Sequence, residues 1–124
     1  MIKIIFHLYN IIIVFLYIYP GSLLGLLVYN DISKEPQIFP DFIFSLNHFY
    51  AFLFLSLLGL ISYSKNLKKI ILYLILISII LELFHLFIPI REFQFSDLFA
   101  NITGILIPIF ILILFNFWKK NEFI

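Results

Sequence analysis

The chain has no cysteine among its 124 residues, and only 12% of its residues are charged. Without cysteine the protein has no disulfide bond, no thiol nucleophile and no thiolate metal site. A net charge of +1 leaves too little basic surface for nucleic-acid binding, so no nucleic-acid partner is expected. The sequence also lacks phosphate-binding glycine loops and the common hydrolase motifs, which excludes the enzyme classes that depend on them.

Apolar residues make up 64% of the sequence, and the mean hydropathy is +1.14. A soluble domain of this size could not bury that much apolar surface. Three apolar segments, 45–64, 70–88 and 98–118, are each long enough to cross a bilayer core of about 30 Å. The composition therefore predicts an integral membrane protein with a single domain over residues 1–124.

A further apolar segment begins near residue 4, and Pro20-Gly21 interrupts it before apolar residues resume as far as Tyr29. We predict one span here, over 4–19 or 4–29, with a kink or break at Pro20. A cleaved signal peptide is the competing interpretation, but no small-x-small cleavage motif follows the apolar run. The predicted fold is therefore all-α, a bundle of four transmembrane helices.

The basic residues predict how this bundle is oriented, because positive residues next to spans are retained on the cytoplasmic side. Six of the eight basic residues fall on one predicted side, namely Lys3, Lys65, Lys68, Lys69, Lys119 and Lys120. Lys34 and Arg91 remain on the other side. Both termini are therefore predicted to be cytoplasmic, and the loops 30–41 and 89–96 are predicted to face outward.

Polar residues of the spans are concentrated in the outward half of the predicted bundle. Ser78, Glu82 and His85 recur at helical spacing on the third span, so they share one face. Asp97 and Asn101 share a face at the start of the fourth span. The predicted site, drawn from three spans and the outer loop, consists of His48, Glu82, His85, Arg91, Asp97 and Asn101.

Glu82 is the most informative of these residues, because its position seven residues before Pro89 places it about 10 Å inside the outer boundary. A charged residue inside a span costs about 2.5 to 3.5 kcal/mol, so Glu82 needs partners. We expect Arg91 to fold back over Glu82 and Asp97, with His48 closing the cluster. Two interpretations stay open: a polar network that locks the helices together, or a site open to the outer interface.

Other polar residues are given structural roles. His7 and Asn10 are predicted to have a helix-packing or interfacial role. Tyr17 lies near a span end, and it is interpreted as an interfacial anchor together with Tyr9, Tyr19, Tyr29 and Trp118. Three acidic residues of the first outer loop are interpreted as solvated charges: Asp31, Glu35 and Asp41.

The run ELFHLFIPIREFQFSDLFANITG at 82–104, preceded by NHFYAFLFLSLLG at 47–59, resembles the VanZ-like family of small bacterial membrane proteins. The matching positions are His48, Glu82, Pro89, Arg91, Asp97, Asn101 and Gly104. Three features depart from the family pattern: His85 replaces a glutamine, Phe44-Ser45 replaces an Asp-Lys pair, and Pro108 replaces a glycine. The resemblance implies a four-helix bundle in the bacterial inner membrane with a task in the cell envelope.

The leading functional hypothesis is recognition of a cell-envelope lipid or a peptidoglycan-related ligand, with Arg91 as the anion contact. In the alternative, an enzyme, the catalytic candidates are Glu82, His85 and Asp97, and Glu82 or Asp97 acts as base with His85 or His48 as acid. A structural or accessory subunit is the third hypothesis, and an ion channel is the least favoured. A metal held by His48, Glu82, His85 and Asp97 is chemically allowed. Neither a metal nor another cofactor is predicted, the expected partners are membrane lipids, and no oligomeric state is assigned.

Overall fold

The computed structural model describes residues 1–40 and 42–121, so the predicted loop charge Asp41 lies outside the described residues. The described part contains five α-helices, one 3-10 turn and no strand. The helices are α1 (Ile2–Ile18), α2 (Leu23–Tyr29), α3 (Leu46–Ser62), α4 (Leu67–Phe84) and α5 (Phe95–Asn121), and the 3-10 turn is Ser64–Asn66. The prediction of an all-α fold is confirmed.

Length and apolar character identify α5 as one candidate membrane span among the described residues. Helices α1 and α2 reach the required length only together, and they are bent by 77° at the break between them. Helix α3 is apolar but has only 17 residues. By length and apolar character, the described residues contain one candidate span, or two if the bent pair is a single span. The four-span bundle stays a prediction.

The interruption at Pro20 is a break rather than a gentle kink. Helix α1 ends at Ile18, because a residue that precedes proline is driven out of the helical region and Tyr19 has a ψ of 130°. Gly21 then takes a φ of +90°, which favours glycine. Ser22 caps the new helix, since its hydroxyl accepts a hydrogen bond from the backbone N–H of Gly25 at 2.9 Å.

The chain after α2 folds back across that short helix. Ser22 donates its backbone N–H to the carbonyl of Ile32 at 2.8 Å, and a Cβ on Gly25 would overlap the carbonyl of Lys34. Asp31 accepts hydrogen bonds from the hydroxyl and the backbone N–H of Ser33, and the hydroxyl's bond is the larger cause that lowers the pKa of Asp31. This fold-back brings the segment around residue 35 over the end of α1.

Helices α3 and α5 make the most extensive helix contact of the described core. A Cβ on Gly104 would lie 2.5 Å from the carbonyl oxygen of Phe49 and 3.0 Å from the backbone nitrogen of Leu53. The hydroxyl of Ser56 donates to the carbonyl of Ile105 at 3.2 Å across the same interface. Small residues on a shared face let two backbones approach each other, which is how the sequence positions α3 against α5.

The contacts define two ends of the bundle. At one end the Lys3 ammonium lies 5.2 Å from the centre of the Tyr63 ring, and a hydrogen bond of 2.8 Å joins His7 Nε2 to the Tyr63 hydroxyl. Ser64 and Asn116 line one cavity there. The start of α1, the 3-10 turn and the last part of α5 therefore share an end, while the loop that carries Arg91 lies at the other.

Candidate functional site

Five of the six predicted site residues meet at the end of the bundle opposite Lys3 and the 3-10 turn. Helix α3 contributes His48, α4 contributes Glu82, α5 contributes Asp97 and Asn101, and His85 directly follows α4. His48 Nδ1 lies 3.8 Å from Glu82 Oε2, and His48 Nε2 lies 3.7 Å from Asp97 Oδ2. Glu82 and Asn101 are fully buried, and Asp97 is half-buried. Helical spacing thus identified side chains that converge in space.

Tyr17 lies at the centre of this cluster, and its interpretation as an interfacial anchor is wrong. The side chain is only 7% exposed, and its hydroxyl donates to Asn101 Oδ1 at 2.8 Å. A hydroxyl has a single hydrogen, so the 2.9 Å contact between Tyr17 and His48 Nδ1 requires the ring nitrogen to donate. In the neutral ring this leaves a lone pair on His48 Nε2, which faces Asp97.

A signal for Tyr17 is present in the sequence. Phe6, Asn10, Ile13 and Tyr17 recur at intervals of four, three and four residues, which places them on one face of α1. Three of the four are buried in the structure, and Asn10 donates to the hydroxyl of Tyr73. The helical spacing that identified Glu82 and His85 also identifies Tyr17 when it is applied to α1.

Glu82 and His85 form a pair that can share a proton. His85 Nε2 lies 3.2 Å from the carbonyl oxygen of Tyr17, which can only accept, so this nitrogen donates. His85 Nδ1 lies 3.3 Å from Glu82 Oε1, and a hydrogen bond there needs a proton on one of the two atoms. The pair is either a neutral acid with a neutral imidazole or a carboxylate with an imidazolium, and both forms can transfer a proton.

Two polar atoms of the cluster lack hydrogen-bond partners among the described residues. They are Glu82 Oε2 and Asn101 Nδ2, and both are buried. The other carboxylate oxygen of Glu82 is satisfied, since it accepts the backbone N–H of Gln94 at 3.2 Å. Buried polar atoms are nearly always paired, so the unpaired oxygen marks a position for a further partner.

Arg91 does not form the predicted ion pair with Glu82 or Asp97; within 4 Å, its acidic partner in the described part of the chain is Glu35. Its Nη2 donates to the carbonyl of Leu16 at 3.1 Å and its Nε to the carbonyl of Tyr19 at 3.5 Å, while Nη1 lies 3.7 Å from Glu35. The physical reason is the break at Pro20, which frees the last carbonyls of α1 for a cation.

Glu35 is a second residue whose sequence-based interpretation is wrong, because it is not simply a solvated loop charge. The fold-back of the chain after α2 brings it against Arg91, and its side chain is 31% exposed. Its position depends on the direction that the chain takes after Gly21. No periodic pattern in the loop encodes that direction, so this contact has no signal in the sequence.

Two cavities adjoin the cluster. The first, which we call the polar cavity, has a volume of about 450 Å³, and Asp97, Glu92 and Gln94 contribute to its wall. The second, the apolar cavity, has a volume of about 120 Å³, and its wall includes Leu16 and Leu23. Four residues line both cavities, namely Glu35, His48, His85 and Arg91. The polar cavity has a volume typical of ligand pockets.

A family model described as VanZ/LLP1 matches residues 4–116, a range that contains every residue of the cluster. The chain belongs to the VanZ/LLP1 family. Comparisons with curated proteins and with solved structures gave no significant match. The VanZ-like resemblance carried by His48, Glu82, Arg91, Asp97 and Asn101 is therefore confirmed.

His85 stands where the VanZ-like resemblance implies a glutamine, and this difference bears on the chemistry of the site. In this VanZ/LLP1 chain the ring uses both nitrogens, one toward the carbonyl of Tyr17 and one toward Glu82. A glutamine amide could also bridge two groups, but it could not accept and release a proton. Histidine at this position places a proton-transfer group in the wall of both cavities.

Proposed function

We propose that this VanZ/LLP1 chain is a multi-pass protein of the bacterial inner membrane that binds an amphiphilic cell-envelope ligand with an anionic group. Helices α1, α3, α4 and α5 form the four spans, and both termini are cytoplasmic. The observation that carries the proposal is the pair of adjoining cavities, one polar and one apolar, with Arg91 in the wall of both.

The surface of the helices supports a membrane location. Helix α5 is about 40 Å long at about 1.5 Å per residue, yet only 28% of its most apolar stretch is buried within the protein. Its outer face exposes Phe110 and Phe117, each by 61%. Helices α3 and α4 are about 26 Å and 27 Å long, which is within a few Å of a bilayer core. Soluble proteins seldom expose apolar surface on this scale.

The orientation can be tested with single cysteines, because the chain contains none of its own. Lys34→Cys and Lys68→Cys replace exposed lysines at opposite ends of the bundle. We expect a membrane-impermeant maleimide to label Lys34→Cys in intact spheroplasts and Lys68→Cys only after permeabilisation. Mass spectrometry reports the label, and the cysteine-free parent chain gives the background. Labelling of both variants from the same side would contradict the proposed topology.

The chemistry of the cavities favours an amphiphile over a simple anion. Glu35, Glu92 and Asp97 outnumber Arg91 in the polar cavity, so most of its wall suits hydroxyl or amide groups of a ligand. Arg91 Nη1 is 3.7 Å from Glu35, longer than a direct hydrogen bond, and it can turn toward a phosphate or carboxylate. The apolar cavity accommodates the start of a hydrocarbon tail.

Arg91→Gln is expected to weaken binding of an anionic lipid by at least about tenfold, since hydrogen bonds to a charged group contribute about 1.5 to 3 kcal/mol. The probe is a polyprenyl monophosphate, titrated into the full chain in detergent and followed by native mass spectrometry. The matching polyprenyl alcohol is expected to bind Arg91→Gln and the parent chain alike. Phosphatidylglycerol, titrated in the same way, distinguishes a general phospholipid site from a carrier-lipid site.

Lys34→Gln is the matched control for this measurement. Lys34 is the other basic residue at this end of the bundle, its side chain is 69% exposed, and it does not line the polar cavity. The control should bind the phosphate lipid as the parent chain does. Equal losses in Arg91→Gln and Lys34→Gln, or equal binding of phosphate and alcohol by the parent chain, would refute an anion contact at Arg91.

A membrane-embedded enzyme is the second candidate function, and the contact between Glu82 and His85, through which a proton can pass, favours it. His85 and Asp97 both face the polar cavity, where a bound head group would contact them. In this version the lipid probe is converted on incubation, and Glu82→Gln stops conversion without preventing binding. A probe that binds and is recovered unchanged from the parent chain supports recognition without catalysis. If the parent chain binds none of the probes, both proposed functions are contradicted, and the polar cluster around Glu82 has a structural role.

A further inference from the structure

One imidazole and two carboxylates face one another at the floor of the polar cavity. His48, Glu82 and Asp97 each offer a ligand atom, and these atoms lie within 4.8 Å of one another. Bonds of about 2.0 to 2.2 Å around a metal ion place neighbouring ligand atoms about 3 to 3.5 Å apart. His48 Nε2 and Asp97 Oδ2, at 3.7 Å, need to approach each other only slightly.

The tautomer of His48 suits a metal ligand. The Tyr17 hydroxyl donates its single hydrogen to Asn101 Oδ1, so His48 Nδ1 must donate to the Tyr17 oxygen. In the neutral ring, His48 Nε2 then keeps its lone pair. Histidines that bind metals nearly always donate their other ring N–H to a neighbouring acceptor, which fixes the tautomer and the ring orientation. Tyr17 and Asn101 thus supply the supporting contacts that a metal-binding histidine uses.

The carboxylates of the cluster lack a fixed positive charge. Among the described residues neither Glu82 nor Asp97 has a lysine or arginine within 4 Å, because Arg91 is held by Glu35 and by carbonyls of α1. Glu82 Oε2 is fully buried without a hydrogen-bond partner, and Glu82 offers a ligand atom within 4.8 Å of those of His48 and Asp97. A divalent cation would give that oxygen a partner and neutralise both carboxylates.

We propose that His48, Glu82 and Asp97 bind one divalent transition-metal ion, Zn²⁺ or Mn²⁺, at the floor of the polar cavity. Imidazole favours Zn²⁺, and carboxylates are ligands for both ions. His85 is not a ligand, since Tyr17 and Glu82 occupy its two nitrogens. His48 and Asp97 line the polar cavity, so the remaining coordination positions face a ligand bound there.

The test is a metal titration of the full chain, purified in detergent with a tag that contains no histidine. After treatment with a chelator and desalting, ZnCl₂ and MnCl₂ are titrated by calorimetry, and bound metal is counted by mass spectrometry. We expect one ion per chain for at least one of the two metals. No lipid is present in the titration, so its result is independent of the proposed lipid binding.

Three variants assign the site to the named residues. Asp97→Asn and Glu82→Gln each remove one anionic ligand and are expected to weaken metal binding by more than about tenfold. Tyr17→Phe leaves all three ligands in place but removes the acceptor that orients His48, and we expect a loss of about 10- to 100-fold. Glu92→Gln is the matched control, because Glu92 lines the same cavity and is not one of the three ligands.

The proposal fails if the parent chain binds no more metal than the double variant Glu82→Gln/Asp97→Asn. It also fails if Glu92→Gln weakens binding as much as Asp97→Asn does, because any carboxylate at the surface of the cavity would then account for the uptake. Circular dichroism and gel filtration establish that each variant is folded. Where Glu82→Gln does not fold, Asp97→Asn and Tyr17→Phe decide the question.

Discussion

Replacing Gly104 by leucine is expected to separate α3 from α5 and to lower the stability of the bundle by at least about 1 to 3 kcal/mol. Even a Cβ at this position would lie 2.5 Å from the carbonyl oxygen of Phe49 and 3.0 Å from the nitrogen of Leu53. Both are backbone atoms of α3, so no side-chain rotation can relieve the overlap. The measurement is the thermal unfolding midpoint in one detergent, followed by circular dichroism.

Thr103→Leu is the matched control for Gly104→Leu, because it adds a similar side chain one residue earlier at a half-buried position of α5. The hydroxyl of Thr103 donates to the carbonyl of Phe99 in its own helix, so its loss breaks no contact between helices. The control is expected to unfold close to the parent chain. If both variants unfold alike, close packing at Gly104 does not hold α3 and α5 together.

Glu82→Ala is expected to lower stability by about 1 to 3 kcal/mol, the cost of leaving a buried hydrogen-bonding group without its partner. The carboxylate is fully buried, accepts the backbone N–H of Gln94, and contacts His85 and His48. Alanine leaves these groups without a partner and also creates a cavity. The loss should appear in the unfolding midpoint of the purified protein.

Glu82→Gln removes the carboxylate charge without creating a cavity, since glutamine keeps the side-chain volume and can still accept the N–H of Gln94. We expect it to lose much less stability than Glu82→Ala. Glu92→Ala serves as a control that removes a carboxylate from the rim of the polar cavity, and it should change the midpoint little. Equal midpoints for Glu82→Ala and Glu92→Ala would mean that the buried network does not stabilise the fold.

The parts of the site that lie on regular helices could be predicted from the sequence. Residues at helical spacing fall on one face, so Glu82 and His85 converge with Asp97 and Asn101 as soon as three amphipathic faces pack together. Gly104 was identifiable for the same reason, because a small residue on that face permits close packing. Local geometry is sufficient for these residues, and no knowledge of the loops is needed.

The partners of Arg91 could not be predicted in this way, because they depend on the path of the chain after the break at Pro20. The carbonyls of Leu16 and Tyr19 and the carboxylate of Glu35 meet Arg91 only after the chain turns by 77° and folds back. Charge pairing in the sequence instead predicts Glu82 and Asp97 as the partners of Arg91, since backbone carbonyls have no signature in the sequence. Tyr17, by contrast, was missed although its spacing on α1 was informative.

The end of α1 anchors the site through its backbone. The carbonyls of Leu16 and Tyr19 accept hydrogen bonds from Arg91, and the carbonyl of Tyr17 accepts one from His85. The anchoring atoms are therefore backbone atoms, which every amino acid possesses. Substitution at positions 16 and 19 can therefore alter the side chains while the anchor persists, provided that Pro20 and Gly21 still end the helix there. Among related chains we expect variation at positions 16 and 19, and retention of the helix-ending pair and of the arginine.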